Sequence, residues 1–113
     1  MLPAKYRLAK RKDIERVMKR GRSFFVGDIS IRVVKNNLEN SRLNVVTSLK
    51  VSKKAVARNK LKRQIREIIR KNILKDVKPG FDGLISTKKG LLELSSDEMI
   101  KLIETLFKKS RLI

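Results

Sequence analysis

The sequence predicts an α+β fold, a mainly antiparallel sheet carried by three helices. Three observations predict it. Apolar residues recur at helical spacing within residues 10–20, 55–74 and 95–109. Ile29, Ile31 and Val33 alternate with Ser30 and Arg32, the period of two that marks a half-buried strand. Along the chain the patterns run helix, two or three strands, helix, strand, helix, which is α+β order rather than a regular βα alternation. The 113 residues suffice for one modest core, so the whole chain, 1–113, is taken as one domain.

Residues 1–9 have no period and include Pro3, so they read as an extended arm. From Lys10, the apolar residues Ile14, Val17 and Met18 form one helical face, and Gly21 has the position of a left-handed C-terminal residue. Ser23–Val26 is a short strand candidate, ended by the turn signal Gly27-Asp28. The alternating strand at Ile29–Val33 and the Val- and Thr-rich Leu43–Leu49 flank a polar link, and together they predict an antiparallel hairpin.

Residues 55–74 carry the strongest helical pattern. With Leu61 at 0° and about 100° per residue, Leu61, Ile65, Ile68, Ile69 and Ile73 fall between about −20° and +120°. Arg58, Lys60, Lys62, Arg63, Arg66, Arg70 and Lys71 lie in the same helix against one carboxylate, Glu67. Lys78-Pro79-Gly80 ends it, and Phe81, Leu84 and Ile85 predict a last short strand interrupted by Gly83. Ser95 and Glu98 have capping-box spacing ahead of the stripe Met99, Ile100, Ile103, Leu106 and Phe107.

Charge narrows the function. Thirty Lys and Arg oppose 11 Asp and Glu, a formal charge of +19. Such a field repels itself, and a polyanionic partner offsets it. His and Cys are both absent, which removes the usual structural zinc sites, thiol nucleophiles and the commonest general base. No run approaches the ~20 apolar residues that span a bilayer, and the basic N-terminus lacks the apolar region of a secretory signal. A cytoplasmic protein with no membrane partner is expected. The basic helix has three readings: a solvated face, a membrane-surface amphipath, or a nucleic-acid face. The second lacks the usual boundary Trp or Phe, and the third leads because guanidinium groups pair bidentately with phosphate. Gly80-Phe81-Asp82-Gly83 has the GXXG spacing of KH domains, but a turn entering a strand explains both glycines and Asp82 would repel a phosphate backbone. Asp97 and Glu98 read as helix-start residues, and Asp13 and Glu15 would diverge on a helix, so no protein-borne hydrolytic site stands out.

Ala55–Arg66 reads AVARNKLKRQIR and is followed by Glu67. This resembles the signature of the protein subunit of bacterial ribonuclease P, an Arg-Asn-Arg box in which Lys60 replaces the second arginine. Arg7-Leu8, Asp13-Ile14, Val17 and Gly21-Arg22-Ser23 resemble the same family's first helix and its turn into the sheet. The resemblance implies an α/β sandwich with a left-handed βαβ crossover, like the second domain of ribosomal small-subunit protein 5. It also implies that a large RNA performs the hydrolysis with Mg2+, held mainly by that RNA, giving mature tRNA 5′ ends, so no catalytic residues and no metal ligands are assigned to the chain. Arg58, Asn59, Lys60, Lys62, Arg63 and Arg66 would bind the catalytic RNA. A cleft between the first helix and the sheet would hold the 5′ leader of precursor tRNA, with Arg11, Lys12, Ile14, Met18, Arg32 and Lys50 as its candidates. No protein dimer is expected. The alternative from a different class is a non-enzymatic ribosomal or assembly protein bound to rRNA.

Two positions depart from the family pattern. Relatives often carry aromatic residues where Ile14, Met18 and Arg32 stand, and a glycine where Lys53 stands. Ile14 and Met18 read equally as core packing, and Phe24 and Phe25 read as core rather than as platforms for bases.

Overall fold

The chain, described over residues 3–113 by a computed structural model, has seven main elements. They are α1 (Arg11–Arg20), β1 (Arg22–Val26), β2 (Ile29–Lys35), β3 (Arg42–Val46), α2 (Ala55–Ile68), β4 (Phe81–Thr87) and α3 (Ser96–Lys109). The sheet order is β1-β2-β4-β3. β1–β2 and β2–β4 are antiparallel, and β3–β4 is parallel, joined through α2 as a βαβ crossover. This is the expected α+β fold with a mainly antiparallel sheet.

The expected hairpin between β2 and β3 does not form. The hairpin is β1–β2, closed by Gly27 at φ +56 in the first turn position, a conformation open to glycine. β4 lies between β2 and β3 because it is the strand buried on both faces: Asp82 through Ile85 are all buried. Such a strand belongs in the middle of a sheet, and β3 takes the edge. There the N-terminal arm docks on it, with Leu8 N–H donating to the Leu43 carbonyl at 2.9 Å. Before that contact the arm makes one 3-10 turn at Ala4–Tyr6. Met1 and Leu2 of that arm lie outside the described residues.

Gly21 is a second correction. Its φ is −70, extended rather than left-handed. Lack of a side chain is what matters there, since a Cβ would meet Arg32 Cγ at 2.4 Å and the Val17 carbonyl at 2.5 Å. The GXXG spacing resolves into a turn and a strand: Gly80 takes φ +88, and Gly83 lies inside an uninterrupted β4.

The two faces of the sheet are covered unequally. Ile29, Ile31, Val33, Leu43, Val45 and Ile85 face Leu61, Ile65, Ile69 and Ile73 of the α2 segment and Met99, Ile103, Leu106 and Phe107 of α3 in the main core. Past Ile68 the helix widens into a π turn, Ile69–Ile73. Ideal winding would leave Ile73 at the rim of the apolar arc, about +120° from Leu61. The wider turn brings it inward, and both Ile69 and Ile73 are fully buried. The opposite, outer face has only α1, which buries Val17 on Leu8 and Leu84 with help from Ile14 and Val34.

α3 is capped at both ends. Glu98 N–H donates to Ser95 Oγ at 3.2 Å and Ser95 N–H donates to Glu98 Oε1 at 3.1 Å, the expected capping box, contributing about 1 kcal/mol. At its end Leu112 N–H donates to the Phe107 carbonyl and Arg111 N–H to the Lys108 carbonyl, both at 3.0 Å, forming a Schellman motif. Its left-handed position, φ +62, holds Arg111 where glycine is usual, at a cost of about 1 kcal/mol.

Candidate nucleic-acid interface

The first surface is the outward face of α2. Leu61 and Ile65 anchor the helix on the core, which turns Asn59, Lys60 and Arg63 to solvent. Lys62 and Arg66 are half-buried on its flanks. These five side chains carry no intramolecular hydrogen bond or ion pair among the described residues. Arg58 differs: its Nη1 donates to the carbonyls of Ser52 at 2.9 Å and Lys53 at 3.1 Å, clasping the loop before the helix. That loop is further held by Lys54 N–H on Ser52 Oγ at 3.1 Å. Among the described residues Lys53 is not one with positive φ, so this loop does not need the glycine of the family pattern. The start of α2 has neither a side-chain cap nor an acidic residue in its first turn. Its free N–H groups and dipole, beside Lys53 and Lys54, favour an anion there. Farther along, Arg70 donates to both oxygens of Glu67 at 3.0 and 2.9 Å. These bonds hold the half-buried Glu67 carboxyl well below its usual range, at about 2.

The second surface is the part of the outer sheet face that α1 leaves open. Two rows of side chains run across the outer face: Ser23, Arg32, Leu84 and Asn44, of which Leu84 is covered by α1, then Phe25, Ser30, Ser86 and Val46. The structure brings Arg32 and Met18 together, with Arg32 Nη1 donating to the Met18 carbonyl and Nε to Ser23 Oγ at 3.0 Å. Arg32 thereby fastens the end of α1, while the Met18 side chain stays 52% exposed. Ile14 turns into the α1 core. Arg11 is exposed and bonds Glu15 at 3.1 Å, and Lys12 is exposed at the same end of α1. Lys50 lies apart from them, in the turn that follows β3.

Phe24 packs on the main core, but Phe25 is 57% exposed on the open face. Strand alternation carries this signal, since adjacent residues of a strand cannot both face one core. Lys109 Nζ donates to the Phe25 carbonyl at 2.8 Å and pins that strand to α3.

Sequence reasoning missed what holds α1 in place. Asp82 of β4 is fully buried. It accepts from Arg42 Nε at 2.9 Å and Nη2 at 2.8 Å, from Arg16 Nη2 at 2.7 Å and from Asn36 Nδ2 at 2.9 Å. Arg42 also reaches Asp13 Oδ2 at 3.2 Å, and Arg16 Nη1 reaches the Lys35 carbonyl at 3.0 Å. The network ties α1 to β3, β4 and the end of β2. Burial pushes the Asp82 carboxyl upward, but the donated bonds and the Arg42 charge outweigh it and hold its pKa below the usual value. The available signal was one acidic residue inside an apolar strand pattern, facing the same side as Leu84.

The family model for Ribonuclease P matches residues 2–111. The ribonuclease P protein component of Microcystis aeruginosa is 32% identical over 116 residues, covering 99% of this chain and 96% of that protein. That of Clostridioides difficile is 33% identical over 103 residues, covering 91% and 90%. The solved RNase P protein from Thermotoga maritima, in complex with 1-(4-fluorophenyl)-2-thiourea, has a TM-score of 0.81 at 34% identity, covering 91% of this chain and 98% of that one. The Staphylococcus aureus RNase P protein has a TM-score of 0.83 at 25% identity, covering 95% and 96%. The likeness runs through the basic signature helix, the sheet and α1 alike, and this chain belongs to the ribonuclease P protein family.

Proposed function

We propose that this protein, a component of ribonuclease P, uses α2 to dock the catalytic RNA and the open outer face to hold the 5′ leader of precursor tRNA. Family membership replaces the ribosomal alternative. The observation that carries the division of labour is the outward row Asn59, Lys60 and Arg63, unpartnered on one layer, while the open sheet face lies on the other. Cations without protein partners on a rigid helix suit the phosphates of a structured RNA. The outer face suits a single strand: Phe25 offers a ring for stacking, Met18 and Val46 offer apolar contact, and Ser30 and Ser86 offer hydroxyls to base edges. With Ile14 turned inward, Phe25 supplies the aromatic surface that α1 lacks.

Mg2+ belongs with the RNA in this reading. Among the described residues no three of His, Cys, Asp or Glu come together as ligands. Asp82 and Glu67 are each held by guanidinium groups. The test is reconstitution of the protein with its cognate ribonuclease P RNA and precursor tRNA at low Mg2+. Faster 5′ cleavage than by the RNA alone is expected. No gain would overturn the proposal.

A further inference from the structure

At the end of the β1–β2 hairpin away from its turn, the ends of several elements converge on a groove of about 600 Å3. Four exposed cations line it from four places: Arg20 at the end of α1, Arg22 at the start of β1, Lys35 at the end of β2, and Arg111 after α3. Their side chains have no intramolecular partner among the described residues, and no carboxylate lines the groove. Half-buried rings of Phe24 and Phe81 line it as well. Lys109 adds a fifth cation, already donating to the Phe25 carbonyl.

Four unneutralised charges around one concavity repel each other. Arg111 stands, moreover, at a backbone position that favours glycine. Neither feature serves the core. Together with apolar rings at the base, they match a single-stranded RNA, whose phosphates would meet the rim and whose bases would meet the phenyl groups. Access follows from the chain: Arg20 and Arg22 flank Gly21, where α1 passes into β1 beside Arg32. A strand lying on the outer face along α1 leaves that face at this point.

We infer that the groove of Arg20, Arg22, Lys35 and Arg111 is a second RNA subsite that takes the distal part of the precursor's 5′ leader. The inference rests on the leader reading above. It makes the contribution of the protein depend on leader length, through residues that touch neither α2 nor the open sheet face.

Arg111→Gly is the decisive variant, because it removes a cation and relieves the backbone together. Arg22→Ala with Lys35→Ala is the second. Holoenzyme binding is measured by filter retention, using precursor tRNAs with leaders of about 4 and about 16 nucleotides, the usual span of single-strand sites. For Arg111→Gly, affinity for the long leader should fall roughly three- to tenfold with an unchanged or raised melting temperature. Affinity for the short leader should match wild type. For the double variant, the salt slope on the long leader should flatten by about 1.4, at 0.7 per phosphate. Equal affinity of variant and wild type for the long leader would overturn the inference alone. Equal losses on both leaders would also overturn it, pointing to the catalytic RNA as the occupant. If wild-type protein added no affinity for either leader, the leader reading itself would fall.

Discussion

Asp82→Asn keeps the volume of the side chain and removes its charge. The carboxylate takes three guanidinium N–H bonds and one amide N–H bond, all between 2.7 and 2.9 Å. An asparagine keeps one accepting oxygen and turns two N–H donors toward groups that only donate. Removing one member of a fully buried ion pair costs about 3–5 kcal/mol. Here the Arg16 and Arg42 side chains retain 31% and 19% exposure, so water recovers part of the loss. The expected cost is about 2–4 kcal/mol, a fall of about 8–17 °C in melting temperature for a chain of this size. The pH dependence has a definite sign. The folded pKa of Asp82 lies below its unfolded value, about 3.9. The stabilisation is therefore complete above the unfolded pKa and is lost as pH falls through the folded one. Urea unfolding followed by circular dichroism at pH 7, 5 and 3 should show the gap between the proteins narrowing only at the lowest pH. A gap under about 1 kcal/mol at pH 7, or one that persists unchanged to pH 3, would refute the account of this network.

Arg63→Ala should leave unfolding unchanged, weaken binding of ribonuclease P RNA and flatten its salt slope by about one unit in a salt titration. Arg58→Ala should differ by also losing about 1 kcal/mol of stability, since its guanidinium clasps the Ser52 and Lys53 carbonyls. Phe25→Ala should cost about 1–3 kcal/mol of leader affinity in equilibrium binding, the usual value of one stacked base, with little change in melting temperature. Gly21→Ala should destabilise by about 1–3 kcal/mol in the same unfolding assay, because the Val17 carbonyl, 2.5 Å from the added Cβ, is backbone and yields poorly.

Elements with a local signal were legible in the sequence. The α3 capping box, the alternation of β2 and the apolar arc of α2 each follow from spacing within a few residues, and each is present. Strand pairing was not, because the partner of β3 lies beyond a whole helix. The link between β2 and β3 has the polar residues of a turn, and nothing local says that β4 enters between them. The arc also did not disclose the π turn, which answers to the fit of Ile73 in the core rather than to local preference. At the interface, the outward residues of α2 and the inward side of Arg58 were legible from the wheel, but the bonds from Arg58 to the Ser52 and Lys53 carbonyls were not. Asp82, Arg16 and Arg42 come from three elements, and no spacing relates them.

Those three residues bear on why the chain can carry +19 and still present ordered surfaces. Several of its few carboxylates are placed where they fix geometry. Asp82 and Asp13 bind the arginines that hold α1, and Glu98 closes the start of α3. An apolar cluster of similar volume could hold α1 to the sheet as strongly, since buried ion pairs are seldom the most stable choice. It would not set direction as well, because apolar contacts lack it, whereas the paired bonds from Arg42 Nε and Nη2 to the two oxygens of Asp82 fix one approach. α1 is the wall of the open sheet face, and Arg32 fastens its other end. Fixing that wall at both ends with hydrogen bonds sets the width of the face on which a single strand would lie. The cations left without carboxylates then remain for RNA: along α2, and around the groove where α1, β1, β2 and α3 end.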